Sequence, residues 1–248
     1  MPDLSDYIND KKQQFYGVIS CAASYGNYLF VGNSQGYIRA FELNAVRPTD
    51  MKPLFDQKVY ENKVTSLDIA PGMRWLVAGY KSGALALWDL TSYKLEKFMP
   101  DVHETEVTGA KVYFVGEDKK TEVLIVSAEA SGKVKLVEVK DKGYFRGTGY
   151  TKTALYERRL KTTVSVCVHR CPEQFDDGFW GEKRLVAFGA TSEVVVVSMR
   201  PVKEVIRIRR PQMCRKKSVP YLDFGYGLSP GKQEYTVPML VIAWDCLV

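Results

Sequence analysis

The sequence has few cysteines and no long hydrophobic run. Its five cysteines are an odd number and include no Cys-x-x-Cys pair, which argues against a disulfide-stapled secreted domain. The longest apolar runs, residues 194–197 and 239–244, are far shorter than the roughly 20 residues that a membrane-spanning helix needs. The first residues also lack the basic and apolar segments of a secretion signal. We therefore expect a reduced, cytoplasmic setting and at most peripheral contact with a membrane.

Motifs for catalysis are also scarce. With only two histidines, acid–base chemistry would depend on carboxylates, and these lie in loop-like stretches. The run GLSPG at 227–231 has the letters of a nucleophile elbow, but Pro230 follows Ser229 and has no N–H to hold an oxyanion. The sequence contains no complete glycine-rich phosphate loop. These features favour a protein that is not an enzyme, and we expect no cofactor.

The composition is that of a globular protein with a sizeable core. Of the 248 residues, 46% are hydrophobic and 26% are charged. A chain of this length buries about 70–75% of its unfolded surface, so it needs neither disulfides nor a metal. Helix signals are sparse, and residues 1–15 are predicted to form one short N-terminal helix or tail. The lack of alternating helices excludes a TIM barrel.

One sequence pattern recurs along the chain. Residues 64–90 consist of an alternating strand pattern, a Pro-Gly turn, a second strand-like stretch, a Ser-Gly turn and a third, as in consecutive β-hairpins. The pattern recurs at residues 18–43, 107–139 and 164–199, and begins again at 219. The valines that start the units are about 43 to 57 residues apart. A unit of this kind cannot bury its sheet alone, so the units must stack.

The repeats predict an all-β fold. Strand-rich units of this length, with Trp-Asp at the end of the third strand, are typical of a β-propeller of WD-repeat type. We expect about five blade units in an incomplete, open ring. The predicted propeller covers 16–248, with units at about 18–60, 64–106, 107–163, 164–217 and 218–248.

Six residues are predicted to have structural roles in the blades. They include the glycines of the tight turns, a Trp-Asp pair, and a histidine four residues before the valine that starts the third unit. The six are Gly36, Gly83, Trp88, Asp89, His103 and Gly132. Because the sequence contains no Gly-His dipeptide, the usual His/Asp/Ser/Trp hydrogen-bond set of WD repeats is expected to be degenerate.

The C-terminal third is more specific. The segments 185–211 (LVAFGATSEVVVVSMRPVKEVIRIRRP), 218–232 (SVPYLDFGYGLSPGK) and 238–245 (PMLVIAWD) resemble the N-terminal propeller of the vacuolar protein sorting-associated protein 8 family, a subunit of the CORVET endosomal tethering complex. The resemblance implies a non-catalytic scaffold in endosomal vesicle tethering and in transport to the vacuole or lysosome. It also implies contacts with other tethering subunits and an endosomal Rab GTPase, in the cytoplasm and peripherally on endosomal or vacuolar membranes.

Other readings stay open. A generic WD-repeat adaptor in another complex, including the related HOPS tether, would fit the first three units equally well. The family continues past its propeller into a helical solenoid and a RING-type zinc module, so we expect this chain to be a fragment or a truncated gene product.

The positive charge is concentrated in one segment. The formal net charge is +6, but residues 200–217 hold eight basic residues and one acidic residue, so the rest of the chain sums to about −1. The candidate basic interaction patch consists of Arg207, Arg209, Arg210, Arg215, Lys216 and Lys217. A solvated outer strand with protective charges is one interpretation. Anionic lipid headgroups and an acidic protein surface are the alternatives, and nucleic acid is not expected because interleaved aromatic residues are missing.

One set of metal-binding residue types occurs. Cys167, His169 and Cys171 alternate and would share one face of a strand. Structural zinc normally has four ligands, and the only other histidine has a predicted role in a blade. We therefore expect buried thiols here and no metal.

Overall fold

The computed structural model describes residues 17–43, 55–115, 122–141, 148–157, 165–168, 185–199, 201–214, 219–228 and 236–245. These residues form β-strands joined by short turns, with one 3-10 turn at Pro71–Met73. None of the helices in these ranges has the length and apolar character needed to cross a membrane. The helix predicted for residues 1–15 lies outside the described ranges.

The strands form five antiparallel sheets in chain order. The first sheet contains β1 (Ile19–Tyr25), β2 (Tyr28–Asn33), β3 (Tyr37–Glu42) and β4 (Phe55–Lys58). The second contains β5 (Val64–Ile69), β6 (Trp75–Tyr80), β7 (Leu85–Asp89) and β8 (Lys94–Met99). The third contains β9 (Val107–Val115), β10 (Glu122–Glu129), β11 (Val134–Asp141) and β12 (Thr148–Tyr156). The fourth contains β13 (Ser165–Val168), β14 (Leu185–Gly189), β15 (Glu193–Met199) and β16 (Val202–Arg209), and the fifth contains β17 (Tyr221–Leu228) and β18 (Thr236–Ala243).

Each four-stranded sheet is a meander in which neighbouring strands are consecutive in the chain. This is the arrangement of a propeller blade, and the five sheets are called blades 1 to 5 below. The predicted all-β, WD-type propeller is confirmed. The predicted unit boundaries stay a prediction.

Apolar layers between consecutive blades form the core. Alternate residues of a strand point to opposite faces of its sheet, so Leu76 packs toward blade 1 and its neighbour Val77 packs toward blade 3. Two further layers join blade 3 to blade 4 and blade 4 to blade 5. Because the middle blades are covered on both faces, strands such as Trp75–Tyr80 are buried along their whole length.

The ring of blades is open, as predicted. The first strands of the blades, β1, β5, β9, β13 and β17, are successive neighbours in space. Among the described strands, those of blade 5 do not pack against blade 1. One face of blade 5 packs on blade 4 through Leu222 and Ile242, whereas Met239 and Val241 on its other face are exposed.

Candidate functional site

A buried polar network links the loop before β9 to β10 in blade 3. His103 in that loop has Nε2 2.8 Å from Oγ of Ser127 on β10, and both side chains are buried. Oε2 of Glu129, at the end of the same strand, lies 3.4 Å from Nδ1 of His103. The network fixes the loop on the strand that follows β9.

The carboxylate of Glu129 is the hub of this network. Its Oε2 accepts hydrogen bonds from the backbone N–H groups of Glu104 at 3.0 Å and Thr105 at 3.4 Å. The hydroxyl of Ser131 donates to Oε1, and Nζ of Lys133 lies 3.8 Å from the same oxygen. Lys133 also forms a 2.9 Å ion pair with Glu104. A carboxylate with this many partners can remain ionised although its side chain is fully buried.

Burial decides the charge state of the histidine. Removal from water lowers the pKa of His103 from 6.5 to about 4, and this effect outweighs the attraction of Glu129. Burial opposes ionisation of Glu129 as well, but the hydrogen bonds from Ser131 and from the N–H of Glu104 hold the pKa of this carboxyl below 4.5. At pH 7 a neutral imidazole therefore contacts a carboxylate, and the pair is not an ion pair.

Blade 2 has aromatic rings where blade 3 has the polar network. Tyr60 precedes the first residue of β5 by four positions, as His103 does in blade 3, and Tyr80 ends β6 as Glu129 ends β10. The rings of Tyr60 and Tyr80 meet edge to face at 5.7 Å, and Phe98 lies 5.1 Å from Tyr60. The same loop is therefore fixed by apolar packing in one blade and by hydrogen bonds in the next.

The predicted turn glycines lie between the second and third strands of their blades. Gly36, Gly83 and Gly132 all have φ near +90°, a conformation that other residues rarely adopt. A Cβ on Gly83 would also lie 2.3 Å from the carbonyl oxygen of His103, and one on Gly36 would lie 1.9 Å from that of Tyr60. These two turns therefore contact the loop that leads into the next blade.

The Trp-Asp pair lies at the end of β7. Trp88 is buried in the layer between blades 1 and 2. Oδ1 of Asp89 accepts hydrogen bonds from the backbone N–H of Thr91 at 2.8 Å and from its hydroxyl at 2.6 Å. The aspartate thus stabilises the turn into β8.

A hydroxyl contact recurs at three junctions between blades. The hydroxyls of Ser20, Thr65 and Ser165, each on the first strand of its blade, donate to backbone carbonyls at the start of the next blade over 2.5, 2.6 and 2.7 Å. Each hydroxyl also lies within hydrogen-bond distance of the carbonyl of a glycine on the adjacent strand. A Cβ on these glycines would lie 2.6 Å or less from a side chain of the next blade. The three glycines are Gly32, Gly79 and Gly189.

Three members of the predicted basic patch lie in the described part of the chain. Arg209 is exposed at the end of β16, whereas Arg210 is half-buried and donates from Nη1 to the carbonyl of Thr191 at 3.1 Å. Arg207 is 24% exposed and forms ion pairs with Glu193 and Glu204. The other three members, Arg215, Lys216 and Lys217, lie outside the described ranges.

Arg207 belongs to the junction between blades 3 and 4. Its Nη1 lies 2.7 Å from Oε1 of Glu193 on β15, and the hydroxyl of Tyr156 on β12 donates to the same oxygen at 2.8 Å. Its Nη2 lies 2.6 Å from Oε2 of Glu204. Arg207 thus pairs with two carboxylates, and Arg209 is the exposed arginine of this strand.

Exposed aliphatic side chains accompany Arg209 on β16. Val202, Val205 and Ile206 are 42%, 56% and 51% exposed, and Lys203 between them is exposed too. We call these residues the β16 surface: Val202, Lys203, Val205, Ile206 and Arg209. The sequence predicts only a basic patch here. The structure adds the exposed aliphatic side chains, because β16 is the outer strand of its blade.

The described ranges contain only part of the Cys-His-Cys motif and of the GLSPG run. Cys167 is buried on β13 with Sγ 4.0 Å from Oδ1 of Asp223, whereas His169 and Cys171 lie outside the described ranges. Ser229 of the GLSPG run lies outside them too. Within the ranges that are described, no group of three metal-binding side chains converges.

Sequence reasoning missed Ser127, Glu129 and the hydroxyls at the junctions. A sequence pattern could have indicated the hydroxyls, because Ser or Thr follows within two residues of the valine that starts each of the first four units. The pattern for Glu129 is weaker: it lies at the end of the second strand of its unit, next to the turn. Comparison of the repeats does not reveal it, because blade 2 has Tyr80 at the same position.

The repeating blades agree with a comparison against known families. The family model described as the Vps8 β-propeller matches residues 1–248. The chain belongs to the Vps8 β-propeller family.

Two solved structures share the fold. The β-propeller domain of Cps50 (Swd1) from Myceliophteria thermophila is 13% identical with a TM-score of 0.58, and the alignment covers 83% of this chain and 58% of that one. The computationally designed Ika8 protein is 14% identical with a TM-score of 0.51, and the alignment covers 91% of this chain and 58% of that one. The Vps8-family chain therefore spans less than two thirds of either structure, and identities this low show the fold alone. A comparison with curated proteins gave no match.

Proposed function

We propose that this chain is a non-catalytic interaction scaffold in endosomal vesicle tethering, within a complex of CORVET type. The supporting observation is the match of the Vps8 propeller family to residues 1–248. The stacked blades provide a rigid framework, and the β16 surface provides an exposed area of mixed apolar and basic character. Aliphatic contacts give affinity while exposed charge speeds association, a combination suited to protein recognition.

We propose three kinds of partner. They are the other subunits of the tether, an endosomal Rab GTPase in its GTP-bound form, and an anionic membrane surface. This assigns the protein to the cytoplasm, peripherally on endosomal or vacuolar membranes. The exposed Arg209 would act in the contacts with acidic groups, together with the predicted patch residues Arg215, Lys216 and Lys217.

Affinity purification of the tagged chain from its native cells tests the assignment. Recovery of CORVET subunits is the expected result. Recovery of HOPS-specific subunits alone, or of an unrelated complex, would replace this assignment with the HOPS or generic adaptor alternative.

Charge reversal tests the contacts with acidic partners. Replacing Arg209, Arg215, Lys216 and Lys217 together by Glu should weaken binding to the GTP-bound Rab or to phosphatidylserine vesicles at low salt. Arg207 is left unchanged because it pairs with Glu193, the carboxylate that accepts a hydrogen bond from Tyr156 of blade 3. Lys94→Glu, an exposed charge on the outer strand of blade 2, is the control. Equal binding by all variants would favour a purely solvated strand.

A further inference from the structure

The outer strand of blade 4 differs from the outer strands of blades 2 and 3. On β8 only Lys94 and Leu95 are exposed, and the exposed residues of β12 are Thr, Lys, Thr and Ala at 151–154. On β16 every residue from 202 to 206 is exposed, and three of these five are aliphatic. Since neighbouring residues of a strand point to opposite faces, this half of β16 is accessible on both faces.

One edge of β16 has no partner strand among the described residues. β16 is the last strand of its sheet, and its described pairing partner is β15 alone. Val196 of β15 is paired with Ile206, and the next residue, Val197, is paired with Glu204. Val205 between them has no partner on β15 and forms a β-bulge. Beyond the bulge, residues 206–209 pair regularly with β15. Such an edge presents backbone N–H and C=O groups to an added strand.

The positive charge of this strand favours a negatively charged partner. Lys203, Arg207 and Arg209 outnumber Glu193 and Glu204, the two carboxylates that pair with Arg207, and both Lys203 and Arg209 are exposed. A second copy of the chain would bring the same positive strand to this edge, and like charges opposite each other are unfavourable. A membrane surface would use the cations but not the backbone edge.

We propose that β16 accepts an extended, apolar and acidic peptide segment of a protein partner as an added strand. Backbone hydrogen bonds along residues 206–209 provide the pairing. Val205 and Ile206 contact apolar side chains of the segment, and Lys203 and Arg209 pair with its carboxylates. The inference rests on the scaffold function proposed above and names a docking strand and a partner chemistry for it.

The test uses a fluorescent ten-residue peptide of alternating valine and glutamate, titrated into the full chain and followed by anisotropy. We expect saturable binding that weakens about tenfold when alternate backbone nitrogens of the peptide are methylated, because methylation removes the strand hydrogen bonds. A peptide of alternating valine and lysine should bind at least about tenfold more weakly, because it repels Lys203 and Arg209.

Variants of the protein locate the site. Ile206→Thr and Arg209→Gln should each weaken binding about fivefold, since each removes one exposed contact. The matched controls on β8, Leu95→Thr and Lys94→Gln, should leave binding unchanged. Circular dichroism confirms that each variant is folded before it is titrated.

Several results would overturn the inference. They are no binding of the acidic peptide, equal binding after methylation, or equal losses in the β8 variants. Arg209-dependent binding to phosphatidylserine vesicles without peptide binding would assign the surface to a membrane. A dimer seen by light scattering and lost in Ile206→Thr would assign it to self-association. If the peptide fails to bind while the chain still copurifies with tethering subunits, only this inference fails; peptide binding without copurification contradicts only the scaffold function.

Discussion

Nε2 of His103 lies 2.8 Å from Oγ of Ser127, so a loop between blades is hydrogen-bonded to the second strand of the blade it leads into. Both groups are buried, and an unsatisfied buried polar group costs about 1–3 kcal/mol. The contact holds the imidazole in a buried position, where loss of hydration disfavours its protonated form. The charge state of His103 therefore links the stability of the folded protein to pH.

The stability of the protein should fall as the pH falls below 6.5. The pKa of His103 is lowered to about 4 in the folded protein, so between pH 6.5 and 4 the unfolded chain binds more protons than the folded one. This difference contributes a slope of up to about 1.4 kcal/mol per pH unit to the free energy of unfolding. Urea unfolding at pH 7.5, 6.5 and 5.5 measures the slope.

His103→Gln is the control for this slope. The variant keeps the other histidine, His169, and loses only the buried titrating ring. Its free energy of unfolding should change less between pH 6.5 and 5.5 than that of the wild type. Equal slopes would show that His103 is protonated to the same extent in the folded and unfolded states.

Gly83→Ala should destabilise the protein far more than Gly72→Ala. Both glycines have positive φ, at +90° and +76°, so both substitutions carry the same backbone strain of about 1 kcal/mol. The new Cβ meets nothing within 4 Å at Gly72 but lies 2.3 Å from the carbonyl oxygen of His103 at Gly83. We expect a total loss of about 2–4 kcal/mol at Gly83. Similar midpoints of urea unfolding would mean that the loop moves away at little cost.

Thr65→Val should lower the free energy of unfolding by about 1–1.5 kcal/mol. The substitution keeps the shape of the side chain but removes the hydroxyl that donates to the carbonyl of Val107 at 2.6 Å, between blades 2 and 3. Thr65→Ser keeps the hydroxyl and should retain most of the stability. Thr153→Val, at an exposed position on β12, is the surface control. A loss at Thr153 equal to that at Thr65 would contradict a specific role for the junction.

The architecture could be predicted from the sequence because turn glycines and apolar strand patterns recur along the chain. Gly36 and Gly83 occur at matching places in their units, and both have the positive φ that such a turn requires. The contacts that fix the loop of His103 could not be predicted, because they join residues 24 or more positions apart, such as His103 and Ser127. Nor could the sequence distinguish Arg207 from Arg209. They are two residues apart on one strand, and Arg207 differs because it pairs with Glu193 of the neighbouring strand β15, which also accepts a hydrogen bond from Tyr156 of blade 3.

Arg207→Ala should therefore destabilise the protein by about 1–2 kcal/mol, whereas Arg209→Ala should change its stability by less than about 0.5 kcal/mol. The first substitution leaves Glu193 and Glu204 without their cation, in a region where Arg207 is 24% exposed and Glu193 is 15% exposed. The second removes an exposed charge from the same strand, so the two variants change the net charge equally. Thermal unfolding of both, together with Tyr156→Phe, measures the difference. Equal melting temperatures for the two arginine variants would show that the Glu193 junction contributes nothing and that Arg207 belongs with the free charges of the β16 surface.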